Sequence, residues 1–249
     1  MKRVLAMLAA LLLAAFPALA DPLLLDEDLA GTIVILYDET DPSAGSYTYS
    51  YRFPCISGED PDAMLVNIFY RNRVEERETN VSFEADGYAD SGKTVTKNVS
   101  YRITCNNDDY FSVLVTTEYV SGDESWITWQ GHTFPRKDGT PDATFDLARL
   151  LGLLGSGNLD EYQQNRQTEK AGKIVCGMIM DRIGENPDGI PYFDTFSEED
   201  LEYGFYPEED FYLDENGDPV FFLEPGVAAD ESLGYLLFPI PLEDIEDEL

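Results

Sequence analysis

The clearest pattern along the chain is a strict alternation of aromatic and polar side chains in residues 46–53. The aromatic positions are Tyr47, Tyr49, Tyr51 and Phe53. A period of two predicts a β-strand with one buried face, because successive side chains of a strand point to opposite sides of a sheet. We expect this face to pack against a helix; a platform that stacks on carbohydrate rings is the alternative.

Three further runs in the N-terminal half predict strands. They cover residues 31–37, 92–105 and 110–120, and the polar turn at 106–109 joins the last two into a hairpin. An Asp-Pro pair at residues 60 and 61 opens a helix that we expect to continue to about residue 77. Proline suits the first helical turn, and acidic residues there favour the positive end of the helix dipole.

The C-terminal half is predicted to begin with helices. A long helix should run from Asn158, its expected N-cap, to Ile183, with Tyr162 on its apolar face. Further on, Ser197 and Asp200 are spaced as a capping pair, which predicts a second and shorter helix.

A three-stranded sheet is predicted to follow. Residues 211–225 form a hairpin in which two aromatic-rich runs flank the turn Asp214–Asp218, where Gly217 can adopt a positive φ. The turn looks like a calcium loop, but its glycine stands in the wrong place for an EF-hand. Residues 234–242 supply the third strand, and their prolines place it at a sheet edge. Together these patterns predict an α+β fold of antiparallel sheets packed with a few helices.

The first twenty residues predict a secretory signal peptide. Lys2 and Arg3 precede an apolar run, and small residues at 18–20 form a cleavage site before Asp21. We therefore expect an exported protein; an uncleaved membrane anchor is the alternative, although the apolar run is short for a membrane span. No later run in the sequence is apolar over the length that a transmembrane helix needs.

The charge balance restricts the classes of partner. The chain has 16 Lys and Arg against 49 Asp and Glu, a formal net charge of −33, which becomes −35 when Lys2 and Arg3 leave with the signal peptide. Nucleic acid and anionic membrane surfaces would be repelled, whereas cationic proteins would be attracted. The alternative is that the acidity serves only solubility outside the cell.

The three cysteines allow at most one internal disulfide. Export permits a bridge between Cys55 and Cys105, but Cys105 is also expected on the inward side of its strand as a buried thiol. Cys176 falls on the flank of the apolar stripe of the long helix, which predicts a half-buried thiol. No cysteine spacing matches a zinc site.

Catalytic motifs are absent from the sequence. It contains one histidine, His132, and no nucleophile elbow, His-Glu-x-x-His motif, phosphate loop or dinucleotide fingerprint. Because acidic residues are so abundant, two carboxylates at the spacing used for glycoside cleavage would occur by chance, and such a pair is not evidence for a glycosidase. We expect no catalytic residue, no metal and no cofactor. Trp126, Trp129 and His132 are the weak candidates for ligand contact, and a pocket formed by them would favour an envelope hydrolase instead.

The order of several segments resembles a known extracellular module. The segments are Tyr51–Gly58, the helix with Val66-Asn67-Ile68, the strand Tyr110–Val115, the pair Gly131-His132, and the C-terminal hairpin with its Glu-Asn-Gly turn. This order resembles the domain of unknown biochemical function shared by RsiV-type anti-sigma factors and PdaC-type polysaccharide deacetylases. A second glycine that the family pattern has after the histidine is missing, and the next strand is compressed into residues 133–146.

The resemblance implies a binding protein. It divides the chain into the signal peptide at 1–20, an N-terminal part at 21–123 and a C-terminal part at 124–249, packed as one ectodomain. The RsiV ectodomain binds lysozyme, a basic enzyme, so the resemblance implies a secreted, non-catalytic protein of the cell envelope that binds lysozyme or another cationic protein. Binding of cell-wall glycan is the alternative, and the deacetylase activity itself is not implied.

Overall fold

A computed structural model describes residues 22–89, 92–136, 144–154 and 160–249. The predicted signal peptide lies outside these residues. Within them the fold is α+β, as predicted, with a five-stranded and a three-stranded sheet.

The five-stranded sheet is built by the N-terminal half of the chain. Its strands lie in sequence order: β1 (Leu29–Leu36), β2 (Ser46–Phe53), β3 (Val95–Asn106), β4 (Tyr110–Ser121) and β5 (Glu124–Pro135). Neighbours are antiparallel except β2 and β3, which are parallel. A parallel pair needs a crossover connection, and helix α1 (Pro61–Ala89) provides it.

The aromatic stripe of β2 is the core of this half. Tyr47, Tyr49, Tyr51 and Phe53 are buried in one cluster with the inner face of α1, which confirms the predicted packing against a helix. Helix α1 is twelve residues longer than predicted. Buried Val81 and Ala85 continue its inner stripe while residues 75–80 are exposed, so the polar run that suggested an end is its solvent face.

The C-terminal half contains the second sheet and four helices among the described residues. The helices are α2 (Leu147–Leu150), α3 (Glu161–Glu185), α4 (Glu198–Gly204) and α5 (Leu242–Glu248). The strands are β6 (Phe211–Leu213), β7 (Pro219–Leu223) and β8 (Leu236–Pro239), all antiparallel. The hairpin, the positive φ of Gly217 and the edge position of the last strand are as predicted.

The start of helix α3 differs from the prediction. Its N-cap is Asp160, which forms a capping box with Gln163, whereas the predicted cap Asn158 lies outside the described residues. Tyr162 was expected on the apolar face but is 72 % exposed. The apolar stripe begins only near Ala171, so the first turns of the helix extend beyond the core. Helix α4 does begin with the predicted Ser197–Asp200 capping box.

The cysteines are all thiols in this structure. The bridge between Cys55 and Cys105 is not formed, and a β-bulge between Ile103 and Cys105 explains where Cys105 goes. The extra residue turns Cys105 away from the α1 side and into the C-terminal core. Cys176, expected to be half-buried, is 5 % exposed in that same core.

Strand β5 joins the two halves. The predicted division between residues 123 and 124 falls in the β4–β5 turn, and β5 completes the five-stranded sheet. Strand β6 crosses it at Gly131, where a Cβ would collide with the backbone carbonyl of Phe211. Next to this crossing the Leu213 N–H donates to Ser112 Oγ at 3.0 Å, which ties β6 to β4. Of the compressed strand expected at 133–146, Thr133–Pro135 belong to β5 and 144–146 are in no strand, while 137–143 lie outside the described residues.

Candidate functional site

One face of the five-stranded sheet is only half covered. Helix α1 lies over β1 and β2, and its Phe69 and Tyr70 pack against His132 and Phe134 at one end of β5. Farther along the strands, the same face of β3, β4 and β5 remains as the floor of a groove. We call it the Arg73 groove. It encloses about 480 Å³, and its lining comes from α1 (Arg73, Glu76, Arg77, Asn80), from the sheet (Tyr49, Phe53, Lys97, Val99, Val115, Thr117, Tyr119, Thr128, Trp129, Gln130, His132) and from Glu209 and Asp210.

Lys97 is a buried cation in the floor. It is 4 % exposed, and its Nζ donates to Glu84 Oε1 at 2.6 Å. The ammonium group also lies 5.0 Å from the ring centroid of Tyr119. Glu84 is shared with Arg77, whose Nη1 is 3.7 Å from its other oxygen. One carboxylate, Glu84, is therefore paired with both cations on this side of the groove.

Arg73 differs from these cations in its partners. Its Nη1 is 3.3 Å from His132 Nε2, its Nη2 is 3.4 Å from Gln130 Oε1, and its guanidinium lies 5.1 Å from the Phe69 ring centroid. All three partners are neutral. Burial lowers the pKa of Arg73, and the nearby Arg77 lowers it further. The groove thus holds a half-buried positive charge that no carboxylate among the described residues pairs with.

His132 is held on both ring nitrogens. A guanidinium can only donate, so Nε2 accepts from Arg73 and Nδ1 carries the proton towards Tyr70 Oη, 3.1 Å away. Burial, and then the charge of Arg73, lowers the pKa of His132 well below 6.5. The imidazole is therefore neutral, 2 % exposed and fully engaged, which suits a structural link between α1 and β5.

The opposite wall of the groove is acidic. Glu209 is exposed, and Asp210 is half-buried with its Oδ2 accepting the Tyr206 N–H at 2.7 Å. Burial raises the pKa of Asp210 to about 6, and the neighbouring carboxylates add to the shift. Cations on one wall therefore face carboxylates on the other. A second pocket of about 500 Å³ shares Arg73, Gln130 and His132 and continues the groove towards α2.

The two tryptophans point to opposite sides of β5. Trp126 is 42 % exposed and stacks on Tyr119, with ring centroids 5.0 Å apart, on the side of the groove. Trp129 stacks face to face on Tyr235 at 4.0 Å, on the side of the three-stranded sheet. The Tyr235 hydroxyl accepts the Trp129 N–H and donates to the Ile127 carbonyl. Trp129 and His132 both line the Arg73 groove, whereas Trp126 is not part of its lining, so the three candidates do not share one pocket.

The charged residues of the groove were not predicted from the sequence. Lys97 could have been found, since it interrupts the inward positions of β3 between Val95 and Val99, where a charge is out of place. Arg73 and Asp210 gave no such signal, because each lies in a polar run and the two meet only across the fold. No group of His, Cys, Asp and Glu in the described ranges is arranged to hold a metal ion.

A second surface stands out through its charge. Residues 183–249 contain 21 Asp and Glu and no Lys or Arg. On α4 and the turn that follows it, Tyr203 and Tyr206 are 88 % and 63 % exposed. We call this surface the α4 patch; its acidic members are Glu198, Glu199, Asp200, Glu202, Glu208 and Glu209. None of the described helices is both long and apolar enough to cross a membrane.

Comparisons with known proteins identify the fold. No family model and no curated protein matches the sequence. A crystal structure of a DUF3298 family member from Bacteroides fragilis NCTC 9343 superposes with a TM-score of 0.50 at 12 % identity, over 92 % of each chain. A DUF3298 family protein from Pseudomonas aeruginosa PAO1 gives 0.47 at 13 % identity, over 92 % of this chain and 94 % of the other. The first likeness shows that the chain has the fold of a domain of unknown function.

Proposed function

We propose that this protein is an exported, non-catalytic binding protein of the cell envelope whose partner is a cationic protein, with lysozyme as the first candidate. The observation that carries this proposal is the concentration of negative charge: the last 67 residues have 21 carboxylates and no Lys or Arg. Such a field attracts a basic protein from a distance and accelerates encounter.

The α4 patch is the proposed contact surface. Tyrosine supplies a large contact area at low entropic cost and is enriched at protein interfaces, so exposed Tyr203 and Tyr206 are suitable central anchors. The carboxylates around them would pair with Lys and Arg of the partner. Tyrosines within an acidic rim match a basic surface better than they match nucleic acid or an anionic membrane.

The resemblance to the RsiV-type ectodomain is part of the proposal and supports the choice of lysozyme. The state of His132 supports binding without catalysis, because both of its nitrogens are engaged and its neutral ring is buried. An envelope hydrolase would need another acid or base. Asp210, with a pKa raised to about 6, is the residue to replace in a test of that alternative.

Calorimetric titration with hen-type lysozyme tests the proposal. We expect binding at about 20 mM salt and at least a tenfold weaker affinity at about 150 mM, since exposed charges are screened. The double variant Glu199→Lys/Glu202→Lys should weaken binding by more than tenfold. The control Glu39→Lys/Asp86→Lys has the same net charge but lies outside the patch, and should lose less.

Two results would contradict the proposal. Absence of binding at low salt would remove the cationic partner, and equal losses in both double variants would remove the α4 patch as its contact surface.

Binding of cell-wall glycan is the second candidate function, favoured by the groove of mixed charge beside Arg73. Release of reducing ends from peptidoglycan by the wild type but not by Asp210→Asn would establish a hydrolase instead.

A further inference from the structure

We propose that the Arg73 groove binds a sugar acid, a hydroxylated ligand with one carboxylate, and that Arg73 takes the carboxylate. This site shares Glu209 with the α4 patch but does not depend on a cationic partner. It concerns a small ligand of the opposite charge, which the net charge of the protein would otherwise repel.

The guanidinium of Arg73 has only neutral partners. A guanidinium presents planar donors that match a carboxylate in a bidentate arrangement, and such pairs are among the strongest charged hydrogen bonds. Arg73 instead touches an imidazole, an amide oxygen and an aromatic ring, all neutral. The hydrogen bonds at 3.3 and 3.4 Å are long for a charged donor.

The neighbouring cations of the groove differ from Arg73, because each of them has a carboxylate partner. Arg77 and Lys97 line the same groove, and both are paired with Glu84. Within residues 22–89, 92–136, 144–154 and 160–249, Arg73 forms no ion pair; Glu76, one turn away on α1, acts on it only through space. In a protein with three times as many acidic as basic residues, a half-buried arginine left without a carboxylate points to a carboxylate supplied from outside.

The other residues that line the groove indicate which further groups the ligand has. Its floor beside Arg73 offers hydroxyl and amide groups from Thr117, Thr128 and Gln130. Glu209 and Asp210 on the far wall can accept hydrogen bonds from hydroxyls, and would repel a second anionic group. A volume of about 480 Å³ suits one or two sugar rings.

Two matched ligand pairs test the proposal on the purified protein. Methyl β-D-glucuronide has a carboxylate where methyl β-D-glucoside has a hydroxymethyl group, and N-acetylmuramic acid adds a lactyl ether with a carboxylate to N-acetylglucosamine. We expect at least one acid to bind tenfold or more tightly than its neutral counterpart, measured by calorimetry or ligand-observed NMR. Whichever acid binds identifies the source, a uronic acid or a cell-wall sugar. The proposal is overturned if neither acid is preferred.

Variants then assign the carboxylate to Arg73. Arg73→Gln should abolish the preference for the acid, and Arg73→Lys, which keeps the charge but not the planar fork, should retain part of it. The matched control is Arg71→Gln, the same change of charge on an exposed position of the same helix. Equal losses in Arg71→Gln and Arg73→Gln would overturn the assignment. If Arg73→Gln does not fold, Arg73→Lys against Arg71→Lys answers the same question.

Discussion

Replacement of Gly131 by alanine tests how the two halves of the protein are joined. Strand β6 crosses β5 at this glycine, and an added Cβ would overlap the Phe211 carbonyl oxygen and lie 2.7 Å from its carbon. In proteins a Cβ atom stays at least 3.0 Å from atoms to which it is not covalently connected. The obstacle is backbone, so no rotamer change relieves it, and β6 must retreat by roughly 1 Å or more.

The cost follows from what this retreat disturbs. Phe211 and Leu213 are 2 % and 0 % exposed, so movement of β6 opens space in the C-terminal core. It also stretches the hydrogen bond from Leu213 N to Ser112 Oγ, worth about 1 kcal/mol. Overpacking adds roughly 1–3 kcal/mol. We therefore expect Gly131→Ala to lower the free energy of unfolding by about 3 kcal/mol, a large part of a typical stability of roughly 5–15 kcal/mol.

Urea denaturation followed by circular dichroism and tryptophan fluorescence measures this change. The midpoint should fall without a large change in the slope, and thermal unfolding should shift down by roughly 6–12 °C. The control is Gly177→Ala in the middle of α3, where a Cβ meets nothing within 4 Å. Alanine should stabilise that helix by about 0.5–1 kcal/mol. A Gly131→Ala protein within about 0.5 kcal/mol of the wild type would refute the close crossing.

Three further predictions concern single side chains. Because the pKa of Asp210 is raised from its usual 3.8 to about 6, the folded state binds more protons between these values, and the contribution of this carboxyl to stability falls as pH rises through that window. Asp210→Asn should therefore be more stable than the wild type at pH 7.5, with the difference vanishing near pH 4 in urea titrations. The ring signals of His132, the only histidine, should not titrate between pH 7.5 and 5.5 in NMR spectra, and a midpoint near 6.5 would contradict its burial beside a cation. Tyr235→Phe keeps the ring stack on Trp129 but loses both hydrogen bonds between the hydroxyl and the backbone. It should therefore lower the free energy of unfolding by about 1–2 kcal/mol in chemical denaturation. An unchanged free energy of unfolding would show that these hydrogen bonds do not stabilise the fold.

The sequence determined those elements whose signal is local. The alternation in residues 46–53 gave β2 and its buried face, and the Asn-rich turn gave the β3–β4 hairpin. Turn residues and prolines gave the C-terminal hairpin and its edge strand. These patterns depend on neighbouring residues in the chain, where the periodicity of a strand or the φ preference of a glycine acts directly.

Tertiary structure decided the rest. The length of α1 depends on where the helix meets the sheet, because its second half is mostly polar and only Val81 and Ala85 mark the buried face there. The β-bulge after Ile103 reversed the side to which Cys105 points, and periodicity cannot show an extra residue in a strand pair.

The groove is a tertiary feature in the same sense. Arg73 comes from a helix, Gln130 from an edge strand and Asp210 from a turn 80 residues further along, and only packing brings them to one cavity. The sequence determined how much negative charge the protein carries; the fold decided where a positive charge remains unpaired. Electrostatic interactions act through space, so distance along the chain gives no information about them.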